Sequence, residues 1–124
     1  MQRPQLFFPE LSYKINGLLF AAHNELGRFC SERQYCDLLE QKLIKNGIEY
    51  IREKNINKEI KGDIVDFCIE DKMIIECKAK KFITKEDYIS LQRYLQNSGK
   101  KLGIIVNFRN TYLKPKRIIR IEKN

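Results

Sequence analysis

Midway along this chain of 124 residues the spacing of apolar residues turns from helical to strand-like, and that change does most to limit what it can fold into. Up to Gly47 the period is helical. Leu11, Ile15, Leu18, Leu19, Ala22 and Leu26 form one apolar stripe, which Pro9 suits as a first turn and Gly27 as a stop. Ser31 opens a second helix. Gln34 stands at capping-box spacing from it, and Tyr35, Leu38, Leu39 and Leu43 make the buried face before Gly47. From Ile48 to Lys80 the pattern is that of strands, predicted at about Ile48–Asn55, Asp63–Ile69 and Met73–Ala79, with a tight turn at Glu70, Asp71 and Lys72. Thr84 with Asp87 is another capping box, starting a helix through Tyr88, Leu91 and Leu95 that stops at Gly99. Leu102–Phe108 is a continuous apolar run, a buried strand, and Arg117–Ile121 an edge strand. The order ααβββαββ describes an α/β fold with a central mixed sheet flanked by helices. No repeat and no Gly/Ser/Pro-rich linker divides residues 1–124, so one domain is expected.

Charge narrows the partners. Lys and Arg number 24 against 16 Asp and Glu, a net charge of +8 that favours a polyanion, because each phosphate contact releases condensed counterions. Ribosome-like and membrane-surface proteins are basic too. The longest uncharged apolar stretch, Ile15 to His23, is far below the roughly 20 residues that span a bilayer. Pro4, Pro9 and Glu10 interrupt the start, which does not read as a signal peptide, so a cytoplasmic protein is expected. Cys30, Cys36, Cys68 and Cys77 make no C-x-x-C pair, and only His23 could join them in a zinc site. Cys68 and Cys77 sit in apolar runs and are expected to be reduced packing residues.

The chemistry lies between Asp63 and Lys78. Side chains alternate along a strand, so Glu76 and Lys78 share a face. If the turn is the three residues Glu70–Lys72, Ile69 pairs with Met73 and Asp66 stands opposite Glu76, with Cβ atoms roughly 5 Å apart. A two-residue loop would shift the register by one and separate them. Facing carboxylates repel unless something positive lies between them, and a hard divalent cation such as Mg²⁺ takes oxygen ligands. Such a cation acidifies water and polarises a phosphoryl oxygen, while Lys78 can offset charge in the transition state. The same three residues could instead be the solvated face of an ordinary hairpin. Their embedding in Ile64-Val65, Phe67-Cys68-Ile69 and Met73-Ile74-Ile75 weighs against that, but spacing alone leaves both open.

D-x(9)-E-x-K on a β-hairpin, after a helix carrying a Glu, resembles the PD-(D/E)XK nuclease core. More narrowly, most of the chain resembles the bacterial GxxExxY proteins. The matching pieces are Pro9-Glu10-Leu11-Ser12-Tyr13-Lys14-Ile15, His23-Asn24-Glu25-Leu26-Gly27, Glu32-Arg33-Gln34-Tyr35, Asp66, Glu76-Cys77-Lys78, Tyr94-Leu95, Gly103 to Phe108 and Lys114 to Ile118. The resemblance implies a restriction-endonuclease-like fold and a metal-dependent nuclease acting on DNA. It makes Asp66, Glu76 and Glu32 ligands of Mg²⁺ or Mn²⁺, and Lys78 the catalytic lysine. Without it, Glu32 would be a favourable first-turn charge. Two positions depart from the family: its glycine is Phe29 here, and a glutamine before the Tyr-Leu pair is Ser90, with Gln92 half a turn away.

His23, the only histidine, is expected to pack beside the first helix's stripe rather than act as a general base, and Asp63, a second possible acidic ligand, is explained by turn chemistry at the strand entry. Lys80, Lys81, Lys85 and Arg93 are the candidate nucleic-acid contacts. With Lys100, Lys101, Arg109, Lys114, Lys116, Arg117 and Arg120 they crowd the C-terminal half, where a phosphate-backbone track is expected. Two other readings fit the pattern: a homodimeric enzyme like the Holliday-junction resolvases, and a non-catalytic nucleic-acid-binding module of the same fold.

Overall fold

The computed structural model describes residues 7–52 and 65–122. Three helices, α1 (Pro9–Leu26), α2 (Glu32–Lys45) and α3 (Lys85–Ser98), accompany strands β1 (Tyr50–Arg52), β2 (Phe67–Ile69), β3 (Met73–Lys78), β4 (Leu102–Asn107) and β5 (Lys116–Ile119). The sequence order is the expected ααβββαββ. The strands make one mixed sheet in the order β1-β2-β3-β4-β5. Only β3 and β4 run parallel, because α3 carries the chain back between them.

The helix ends follow local chemistry. Pro9 begins α1, where its missing N–H costs nothing, and Gly27 ends it at φ 75°. Both capping boxes form. Ser31 Oγ accepts from Gln34 N–H while Gln34 accepts from Ser31 N–H, and Thr84 and Asp87 do the same. The strands are shorter than their apolar runs. Ile48 N–H bonds Leu43 C=O at the end of α2, so the chain joins the sheet only at Tyr50. The expected continuation to Asn55, together with Asp63 and Ile64, lies outside the described residues. Asp66 stands just before β2, its side chain having taken the backbone N–H of Cys77. At the other edge, Gln92 accepts from Ile121 N–H, and β5 stops at Ile119.

Alternation along the strands gives the sheet two apolar faces. Phe67, Ile69, Met73, Ile75, Cys77, Ile104 and Val106 pack with Ile15, Leu19, Tyr35, Leu39 and Leu43 of α1 and α2. Ile74, Ile105 and Val65 pack on the other face with Leu91 and Leu95 of α3. Gly103 lets α3 lie close, since a Cβ there would stand 3.1 Å from Leu91 Cδ1. Glu76 and Lys78 follow Ile74 along the α3 face, beyond the apolar contact. No helix among the described residues is long and apolar enough to cross a membrane.

Candidate active site

The β2–β3 turn has the three-residue form. Glu70 and Asp71 both adopt left-handed φ values (51° and 56°), and Lys72 N–H bonds Ile69 C=O at 2.9 Å. Ile69 therefore pairs with Met73, and Phe67 with Ile75. The next pair outward is Asp66 and Glu76. Asp66 Oδ2 accepts the Cys77 backbone N–H at 2.6 Å, which fixes its carboxylate beside β3.

Glu32 completes the group. One carboxylate oxygen each from Glu32, Asp66 and Glu76 lies within 4.8 Å of the others. Such crowding in a half-buried setting penalises charge. The Glu76 carboxyl is pushed up to about 10, first by burial, then by its hydrogen bond with Asp66 and the charges of Asp66 and Glu32. Glu32 is raised for the same reasons, burial and then Asp66. With no cation the cluster keeps a proton. Three carboxylates form an all-oxygen donor set that suits a hard divalent ion such as Mg²⁺ or Mn²⁺.

Glu32 owes its position to Tyr35, one turn further along α2. The Tyr35 ring is fully buried and stacks on Phe108, centroids 4.1 Å apart and planes within 7°. Its hydroxyl donates to Gly27 C=O and accepts from Cys30 N–H at 3.3 Å, pinning the loop that leads into α2.

Lys78 faces the acidic group from one side and Asp87 from the other. Burial works to lower its pKa, but Glu76, Glu32, Asp87 and Asp66 outweigh that and hold the ammonium above its usual range. Lys78 Nζ is 3.8 Å from Asp87 Oδ1, and Lys80 Nζ is 2.5 Å from Asp87 Oδ2. Asp87, read from the sequence only as a cap, thus also orders two lysines. Asn107 lies within the Gly103–Phe108 stretch of the resemblance, which assigned it no role of its own. It is 97% shielded from solvent, receives Lys80 N–H at 3.1 Å and donates to Lys80 C=O at 2.7 Å, clamping the chain just past Lys78. An amide inside the otherwise apolar Leu102–Phe108 run was its signal.

A profile of the PD-(D/E)XK nuclease superfamily matches residues 9–121. The chain belongs to that superfamily. No curated protein and no solved structure matches it. PD-(D/E)XK nucleases are typically metal-dependent, and their substrates are nucleic acids.

The basic residues expected to meet nucleic acid lie on or just before α3. Lys81 is exposed beside Lys80, Lys85 opens α3, and Arg93 lies on the exposed side of that helix. The larger basic group does not gather at the site. β4 pairs in parallel with β3, so Lys100 and Lys101 stand at the hairpin-turn end and Arg109 at the Lys78 end. Lys100 pairs with Asp71, Arg120 with Glu122, and Arg117 holds Ser12 Oγ and Phe7 C=O. Gln92 is committed to β5. His23 packs as expected, its Nε2 2.9 Å from Asn110 C=O. The cysteines are free, yet Cys36 and Cys77 meet beneath Asp66, their Sγ atoms and an Asp66 oxygen within 4.8 Å of one another. The hydrogen bond with Cys36 and complete burial hold the Cys77 thiol well above its usual range, so it is a neutral neighbour of the acidic group.

Proposed function

We propose that this protein is a divalent-metal-dependent nuclease that hydrolyses phosphodiester bonds in DNA. In this reading Glu32, Asp66 and Glu76 hold Mg²⁺ or Mn²⁺, and Lys78 is the catalytic lysine. The observation that carries it is the convergence of three carboxylates, from the start of α2, the residue just before β2, and β3, within 4.8 Å. A cation held there supplies Lewis-acid polarisation of a phosphoryl oxygen and acidifies water in its shell. The chain's own part is to orient. Asp66, tied to Cys77 N–H, and Glu76, on β3 across from it, present oxygens from fixed positions. The Lys78 ammonium, kept charged by its acidic neighbours, is available to the phosphoryl oxygens on which negative charge grows.

The +8 charge supports a polyanionic substrate. Within the superfamily we read the chain as a GxxExxY-type protein, one domain working in the cytoplasm. Glu32-Arg33-Gln34-Tyr35 supports this, because both outer residues have clear tasks in building the site. The test is incubation of the protein with linear duplex, single-stranded and branched DNA, and with RNA, in Mn²⁺, beside Glu76→Ala. Cleavage by the wild type and none by the variant is expected. Equal cleavage by both would remove the site assignment.

A further inference from the structure

Three large aromatic side chains on three different loops stand out in solvent at one end of the sheet. Phe29 (between α1 and α2) is 74% exposed, Phe82 (between β3 and α3) 75%, and Tyr112 (between β4 and β5) 80%. All three line one cleft of about 550 Å³. Scattered apolar side chains on a surface need no explanation, but three rings converging on one cleft do. The remaining lining is basic or neutral: Lys81, Arg109 and Lys114, with Arg28, and no acidic side chain among the described residues. Phe29 is braced by guanidinium groups, the Arg28 Cζ 4.5 Å and the Arg109 Cζ 5.7 Å from its centroid. Arg28 Nε also donates to Arg109 C=O at 2.7 Å, joining the loops that carry Phe29 and Tyr112.

Rings interleaved with cations are what a single strand of nucleic acid requires. Phosphates meet the cations, and unpaired bases stack on the rings, whereas a duplex has its bases already stacked on each other. The cleft adjoins the candidate active site. Lys81 and Phe82 directly follow Lys80, whose backbone Asn107 clamps, and a second cleft shares Lys81, Phe82 and Lys114 and reaches Asn107.

We infer that Phe29, Phe82 and Tyr112 form a stacking platform for an unpaired DNA strand, delivering it to the end of β3 that bears Lys78. The inference rests on the nuclease reading for its substrate class and extends it to selectivity for unpaired over paired DNA.

The test is binding by the full chain in EDTA, where no cleavage occurs, to oligo-dT and to a blunt duplex of equal length. The readouts are anisotropy, and the quenching of a 2-aminopurine placed in the single strand. Wild type should prefer the single strand. Phe82→Ala and Tyr112→Ala should each weaken oligo-dT about tenfold and relieve the quenching, while changing duplex affinity by about twofold at most. Phe82→Trp should restore single-strand binding, which separates a lost ring from a damaged fold. Equal losses on both substrates, or none, would overturn the platform. So would alanine variants that alter sedimentation but not DNA binding, which would assign the rings to a contact between copies. A wild type that shows the preference but never cleaves would remove the nuclease reading and leave the platform standing.

Discussion

Glu76 is hydrogen-bonded to Asp66, the acidic side chain opposite it across the hairpin, and burial together with that contact pushes the Glu76 carboxyl up to about 10. Without a cation, the Glu76 carboxyl is therefore held in its protonated form.

Glu76 makes the metal-free fold less stable as pH rises. The unfolded chain releases this proton near 4.5 and the folded chain near 10, so between those values the folded state holds more protons. Its contribution is complete below pH 4.5 and is lost as pH climbs towards 10. Glu76→Gln removes the penalty. In EDTA, urea unfolding should show no advantage for the variant at about pH 4 and an advantage of roughly 1–3 kcal/mol at about pH 8. Parallel pH profiles for the two proteins would contradict the raised Glu76 carboxyl.

Lys78→Met separates chemistry from binding. Turnover should fall by roughly a hundredfold or more while metal affinity stays close to wild type and DNA affinity drops only slightly. Lys101 stands at the opposite end of the sheet, so Lys101→Met should alter DNA affinity and its salt slope alone. Single-turnover kinetics beside metal titration decides, and identical behaviour of the two variants would leave Lys78 an ordinary surface cation.

Asp87 has two tasks that can be divided. Thr84→Ala removes the hydroxyl that accepts Asp87 N–H but leaves Asp87 against both lysines, so it should cost about 1 kcal/mol of stability and little turnover. Asp87→Asn also removes the charge that orders Lys78 and Lys80. We expect a similar loss of stability plus about a tenfold fall in kcat with KM nearly constant. Thermal melts and steady-state kinetics on the pair test this; equal kcat in the two would confine Asp87 to the cap.

The hairpin turn carries conformational cost, since Glu70 holds φ 51° with a side chain. Glu70→Gly should raise stability by about 0.5–1 kcal/mol, because glycine takes this region without steric penalty. A lower melting midpoint in that variant would mean the Glu70 side chain contributes more than its backbone costs.

How much of this was legible in the sequence depended on the range of the interactions. Both capping boxes and the glycine stops were readable, because the partners of Ser31 and Thr84 stand three residues away. The facing of Asp66 and Glu76 was readable on the condition of a three-residue turn, and the register meets that condition. Strand ends were not readable, since Asp66 spends its side chain on a backbone N–H and Gln92 takes the N–H of Ile121. The basic residues were visible as a number but not as a distribution, because parallel pairing of β3 and β4 decides which end each one occupies. Cys36 and Cys77 meet only through the packing of α2 on the sheet, which no local pattern reports.

The dependence of the acidic group on a three-residue turn has a consequence for how relatives of this protein should be judged. Deleting one codon within Glu70–Lys72 would leave Glu32, Asp66, Glu76 and Lys78 all in the gene, yet shift the hairpin register by one and separate Asp66 from Glu76. Silencing in this family therefore needs no lost motif letter. Activity should be inferred from a relative's sequence only after the residues between its two hairpin strands have been counted.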